Sequence, residues 1–383
     1  MYNPGASRAY SILTHEAIID VSWENSIQPL LLQKYPGATA SELLKAQSYA
    51  YGGSIIPDIG YYPFGSKLFT DLLHNVRSGD FVTALIEEAR DLNEYAFALG
   101  ALSHYMADND GHSLATNRVV PLIFPKIKAK YGGIVTYADD KKSHSRMEFG
   151  FDLLQTARGN YASKAYHDFI GFNVSRAVIE KAFFRTYGLN LNDAFGGMSV
   201  AIASFRLSVK TLLPTVVRAA WINKKRDIRK NTPEATSRSF SYRMKKSTYY
   251  HESGWDHEKV GFAPIVVSVF LPVLPKIGPL SKYRYKRLSA EAEKLFIQSF
   301  DTTLVHYAVS LKKLHSEPLI LTNRTLDTGY KTAPGDYSIA DTYYDNFLLK
   351  LKARNFDHLT SELKDNLLSF YSKAKTPLSG SFK

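Results

Sequence analysis

The chain contains no cysteine. Disulfide frameworks, thiolate metal sites and cysteine nucleophiles are therefore excluded, and any metal ion must be held by histidine, carboxylate or backbone oxygen. No apolar run reaches the roughly 18 residues that would suggest a membrane-spanning helix. Alternating stretches of strand length are few and short, which argues against a sheet. Acidic residues are in deficit: 36 Asp and Glu face 48 Lys and Arg, for a net charge of +12. That excess favours anionic partners (phosphate esters, nucleic acid or an acidic membrane surface) without choosing among them. With 383 residues, 45% of them hydrophobic, the chain has ample material for a full core.

What is present is helical periodicity. Apolar positions recur at helical spacing over residues 15–33, 40–52, 66–78, 80–108 and 144–157, and again over 161–186, 193–222, 288–314 and 340–373. The expected class is all-α, a multi-helix bundle. The longest amphipathic run, 80–108, follows Ser78-Gly79 and opens with Asp80 as a plausible N-cap. The chain divides into a helical core at 10–222, a basic and then apolar excursion at 223–287, a returning helix at 288–315 and a C-terminal helical extension at 316–383. Within the excursion, residues 262–280 are apolar but broken by four prolines, and much of the positive excess lies between Lys224 and Arg287.

Of the 11 histidines, His15, His74, His104, His112 and His144 lie in the first 150 residues, each in an apolar helical context with an acid nearby. His104 and Asp108 are four apart, as are Asp108 and His112, and His144 and Glu148. Residues at that spacing share one helix face, so their side chains can converge on one ion. Zinc accepts imidazole nitrogen and carboxylate oxygen, usually from four ligands. Asp58 and His74 are the nearest candidates to complete such a shell. A single histidine of this kind is more often a satisfied core or surface residue. Five with matched carboxylates would be costly to bury without a compensating cation.

The ordered set His15, Asp58, His74, His104-x3-Asp108, His112 and His144-x3-Glu148 resembles the zinc-dependent phospholipase C and single-strand nuclease superfamily. The resemblance implies an all-α fold with three zinc ions in a cleft. One ion would be held by Asp58, His74, His104 and Asp108. A second would be held by His112, His144 and Glu148, and a third by His15 and Asp108, with Asp108 bridging. The third ion would be completed by the mature N-terminal residue. Tyr10 has the matching spacing to His15, and the small residues Ser7 and Ala9 precede the implied cut, so export and cleavage after Ala9 are expected. The family spacing from the helix aspartate to the next histidine is longer than here, which leaves Asp110 as an alternative to His112.

The implied activity is phosphoester hydrolysis by metal-activated water, with Asp58 orienting the water or taking its proton, and Asn117 or Arg118 as candidates for stabilising phosphate charge. A phospholipase C acting on phospholipid head groups is expected first, with residues 262–287 as a possible membrane contact between Lys259, Lys276, Lys282 and Arg284. A single-strand nuclease is the alternative, with Tyr61, Tyr62, Phe64 and the basic 223–246 stretch binding nucleic acid. A non-catalytic scaffold with structural zinc, binding membrane or a partner protein, is the third reading.

Overall fold

The computed structural model describes residues 11–158, 160–161, 172–209, 213–236 and 286–372. Among them the regular elements are helices. The sole β-type pairing described is an isolated bridge, Arg324 with Lys331, so the all-α expectation holds. No described helix is long and apolar enough to cross a membrane. Tyr10, the apolar 262–280 stretch with its basic flanks, and residues 237–246 of the basic 223–246 stretch lie outside the described residues.

At the centre, α3 (Ala40–Ile55) crosses α6 (Leu92–Asp110). Each is started by a side chain that satisfies otherwise orphaned backbone N–H groups. Thr39 and Glu42 form a reciprocal capping box on α3, and Asp91 accepts from Asn93 N and Glu94 N at 2.9 Å on α6. The crossing is close because both helices carry glycine where they meet. A Cβ on Gly53 would lie 1.9 Å from the Phe97 carbonyl oxygen, and one on Gly100 would lie 2.0 Å from that of Ala50. Only glycine allows backbones this near.

The other elements gather around this pair. Helix α1 (Ile12–Ser22) continues through a π-type turn, Trp23–Ile27, into α2 (Gln28–Lys34). A 3₁₀ turn, Ile56–Tyr61, follows α3 and leads to α4 (Lys67–Asn75) and α5 (Ser78–Glu88). Helix α4 buries Phe69 against Phe81, Phe183 and Phe195, an anchor of about 1.5–3 kcal/mol. After α6, a second π-type turn, Gly111–Thr116, runs into α7 (Asn117–Ile123), then α8 (Pro125–Tyr131) and α9 (Lys141–Ala157).

Several boundaries differ from the periodicity. The 80–108 run is two helices, broken before Asp91, which supplies the cap that a continuous helix would not need. Asp80 is not an N-cap. Helix α5 starts earlier, after Arg77 in the left-handed region at φ 52°, and Asp80 instead accepts from Arg77 Nε at 2.6 Å. The 193–222 run is α11 (Leu191–Ala194), α12 (Met198–Leu207) and α13 (Leu213–Asn231), interrupted at Gly196-Gly197. Helix α13 continues past residue 222, where the excursion was expected to begin. The 161–186 run is described only as α10 (Arg176–Tyr187). The last run is α15 (Ser338–Ala353) and α16 (Ser361–Ser372), separated by left-handed residues at Asn355, Phe356 and His358.

Helix α14 (Ala290–Leu314) lies along α6 and the second π-type turn, with Tyr307 Oη donating to the Leu99 carbonyl at 2.9 Å. The segment after it is tied to the core by hydrogen bonds to its backbone. Leu326 N donates to the His74 carbonyl at 2.9 Å, Ser78 Oγ donates to the Arg324 carbonyl at 2.6 Å, and Tyr105 Oη donates to that of Thr322 at 2.5 Å. The Gly100→Ala variant is expected to force α3 and α6 apart and to lose about 3 kcal/mol or more of stability. Denaturant titration checks this, and wild-type stability would contradict the close crossing.

Candidate metal centre

Three groups of buried donors face one another: His15, His104 and Asp108; Asp58, His74 and His104; and His112, His144 and Glu148. Within each, the donor atoms lie within 4.8 Å of one another. All eight residues are almost fully buried. The first two groups share His104, and Asp108 joins them. Its Oδ1 stands 3.4 Å from His15 Nε2, while its Oδ2 stands 3.2 Å from His74 Nε2 and 3.3 Å from His104 Nε2. Asp58 Oδ1 is 3.5 Å from His74 Nε2.

Each helix aims its donor through a backbone acceptor. His104 Nδ1 donates to the Ser54 carbonyl at 2.8 Å across the glycine crossing. His74 Nδ1 donates to the Thr70 carbonyl at 2.8 Å, and His144 Nε2 to that of Val135 at 2.6 Å. A carbonyl can only accept, so these bonds place a proton on the named nitrogen and turn the other nitrogen, Nε2 of His104 and His74 or Nδ1 of His144, toward the centre. Thr70 also ties Asp58 to the helix of His74: its Oγ1 donates to the Pro57 carbonyl at 2.6 Å and accepts from Gly60 N at 2.8 Å. Asp152 on α9 accepts from Leu13 N at 3.1 Å and Thr14 N at 3.2 Å, fixing the start of α1 and with it His15.

The second π-type turn changes the expected stripe. Asp110 ends α6, and His112 lies in the widened turn that follows. His112 therefore lies with His144 and Glu148, the grouping the resemblance implied, and not on the face of His104 and Asp108. Asp110 is turned elsewhere, accepting from His306 Nδ1 at 2.9 Å, and does not replace it. Asn117 is buried and donates to the Asp327 carbonyl at 3.0 Å, while exposed Arg118 donates to that of Ser113 at 3.0 Å. Both are thus occupied in holding loops. Tyr61 stands edge-on to His74 with ring centroids 6.2 Å apart, Tyr62 packs on Phe205, and Phe64 is exposed. One buried carboxylate had no sequence signal, being a lone acid in a loop far along the chain: Asp327, whose Oδ1 is 3.6 Å from His112 Nε2.

The electrostatics call for cations. Burial alone would push the Asp108 carboxyl up, but the facing imidazoles of His104, His15 and His74 outweigh it and hold the group well below the usual carboxylate range. Burial likewise opposes charge on His74, yet Asp108 and Asp58 push it well above its ordinary value, so a proton there supplies the positive charge. Burial pushes His15 and His112 down, and burial with the His112 charge takes His144 down to about 4. Neither oxygen of Asp108, neither ring nitrogen of His112 and not His144 Nδ1 has a hydrogen-bond partner among the described residues. These donors fit zinc: two ligands at about 2.0–2.2 Å on a tetrahedral ion stand about 3.3–3.6 Å apart, which is the spacing found around Asp108 and His74.

Residues 14–196 match the family described as zinc dependent phospholipase C. No curated protein and no solved structure matches the chain.

Two pH-linked outcomes follow from the charges. Zinc added to the metal-free protein at neutral pH is expected to release a proton, because His74 is protonated until a metal takes its place. An indicator dye measures it, and His74→Asn should lower the yield. His144 is protonated in the unfolded chain below its ordinary 6.5 but in the folded chain only near 4. Its contribution to stability is thus present above 6.5 and lost as pH falls toward 4. The metal-free protein should lose about 3 kcal/mol through this group. Denaturant titrations across that window should be flatter for His144→Asn, and parallel profiles would contradict its burial as a neutral imidazole.

Proposed function

We propose that this chain, whose residues 14–196 belong to the zinc-dependent phospholipase C family, hydrolyses phosphodiesters and releases phosphorylated head groups from phospholipids. The observation that carries the reading is the set of three buried donor groups, two of them linked through His104 and Asp108, within the stretch the family covers. The net charge of +12 suits an anionic substrate.

Bound zinc ions would supply Lewis acidity toward phosphate oxygens and a water of lowered pKa. The residues of the chain do the positioning. Asp58, His74, His104 and Asp108 would hold one ion, His112, His144 and Glu148 a second, and His15 with Asp108 a third. Asp108, dividing its oxygens between His15 and the His74–His104 pair, sets the separation of its two positions. Asp58 is the group assigned to take the proton of the attacking water on its carboxylate, beside His74. The Tyr61 phenol lies edge-on to His74, and that of Tyr137 lies edge-on to His144 with ring centroids 6.2 Å apart. Burial, with nearby carboxylates, pushes both well up, so both stay protonated at neutral pH and can donate to phosphate oxygens. Burial around the donors keeps bulk water from competing.

The test pairs two variants with two substrates. Asp58→Asn is expected to lower turnover of a chromogenic phosphocholine ester by about 10²–10⁴-fold while the protein stays folded. Glu148→Ala should abolish turnover with folding retained. Single-stranded DNA should remain intact under the same conditions. Unchanged turnover in Glu148→Ala sinks the site assignment, and cleavage of DNA in place of the ester moves the protein to nuclease chemistry.

A further inference from the structure

The segment after α14 lies beyond the residues that match the family, yet it reaches the metal centre. It is stitched to α4, α5 and α6 by the bonds described above and turns tightly at Thr325–Gly329. There Gly329 N donates to the Thr325 carbonyl at 2.8 Å, and Arg324 Nη1 donates to that of Gly329 at 2.5 Å. Gly329 has φ +74°, and a Cβ there would lie 2.8 Å from the Asn109 carbonyl oxygen, so the turn needs glycine both for its backbone angle and for its approach to α6. The turn carries Asp327 inward until it is 2% exposed.

Contacts to the backbone and to both carboxylate oxygens fix Asp327. Its backbone carbonyl accepts from Asn117 Nδ2 at 3.0 Å, at the start of α7 just after the turn that holds His112. Its Oδ2 accepts from Tyr337 Oη at 2.9 Å. Its Oδ1 faces His112 Nε2 at 3.6 Å. His112 is fully buried, and neither of its ring nitrogens has a hydrogen-bond partner among the described residues. The contact thus joins a carboxylate oxygen and an imidazole nitrogen at the separation of two ligands on one ion, about 3.3–3.6 Å, without making a hydrogen bond.

We propose that Asp327 is a fourth protein ligand of the ion held by His112, His144 and Glu148, so that the C-terminal segment completes the second metal site. The proposal rests on the metal-centre reading above. His112, His144 and Glu148 supply three ligands, one short of the usual four around zinc. Asp327 approaches this set from the His112 side and adds an anionic donor. Tyr337, bonded to the other oxygen, holds the carboxylate in orientation, as outer partners of metal ligands do.

The test uses the full chain loaded with cobalt in place of zinc, because visible absorption of cobalt reports ligand number and donor type. Asp327→Asn is expected to shift the cobalt spectrum and to lose one metal equivalent to a chelator about tenfold faster or more than wild type, with the remaining equivalents held as before. Tyr337→Phe, which leaves the carboxylate in place, should change both readouts in the same direction and by less. It serves as the decisive variant if Asp327→Asn does not fold. A wild-type spectrum and wild-type release in the folded variant would overturn the assignment of Asp327. A wild-type chain that binds neither cobalt nor zinc would instead overturn the metal centre on which the assignment depends.

Discussion

Buried negative charge is the constraint around which the molecule is arranged. Asp58, Asp108, Glu148 and Asp327 all lie inside the protein, in close company with five imidazoles. Burying an ionised carboxylate costs several kcal/mol unless a partner compensates it. Neutral imidazoles compensate poorly, and three of the five are pushed down by burial. The protonated state of His74 supplies one positive charge among the carboxylates. Metal ions between the donors would supply the rest.

The fold serves that arrangement by fixing directions before any ion arrives. The glycine crossing of α3 and α6 puts the Ser54 carbonyl against His104. The Thr70 carbonyl does the same for His74, and that of Val135 for His144. Because each acceptor is backbone, the orientation of each ring is built into a helix end or a loop rather than into another adjustable side chain. Asp152 links the start of α1 to α9, so that His15 and the pair His144 and Glu148 are positioned by one connected frame. Stability of the crossing and geometry of the centre are therefore the same property of the chain.

Much of this was legible in the sequence, for a physical reason. Helices carry their pattern locally, so the all-α class and the pairs His104–Asp108 and His144–Glu148 could be read from spacing alone. Helix ends were less legible. Asp91 interrupts a run whose apolar period continues across it, and Arg77 enters the left-handed region without a glycine to announce it. Spacing alone put His104, Asp108 and His112 on a single face, while the resemblance placed His112 with His144 and Glu148; the π-type turn after Asp110 is what separates His112 from that face. Asp327 had no local pattern at all: an isolated acid in a loop becomes part of the centre only through the tertiary path that ties residues 319–332 to the core.

Zinc stoichiometry of the purified chain, by elemental analysis after exhaustive dialysis, bears most directly on whether the buried carboxylates are compensated by metal. Two or more tightly held zinc ions per chain are expected. A folded chain that keeps none would contradict the metal centre and, with it, the chemistry built upon it.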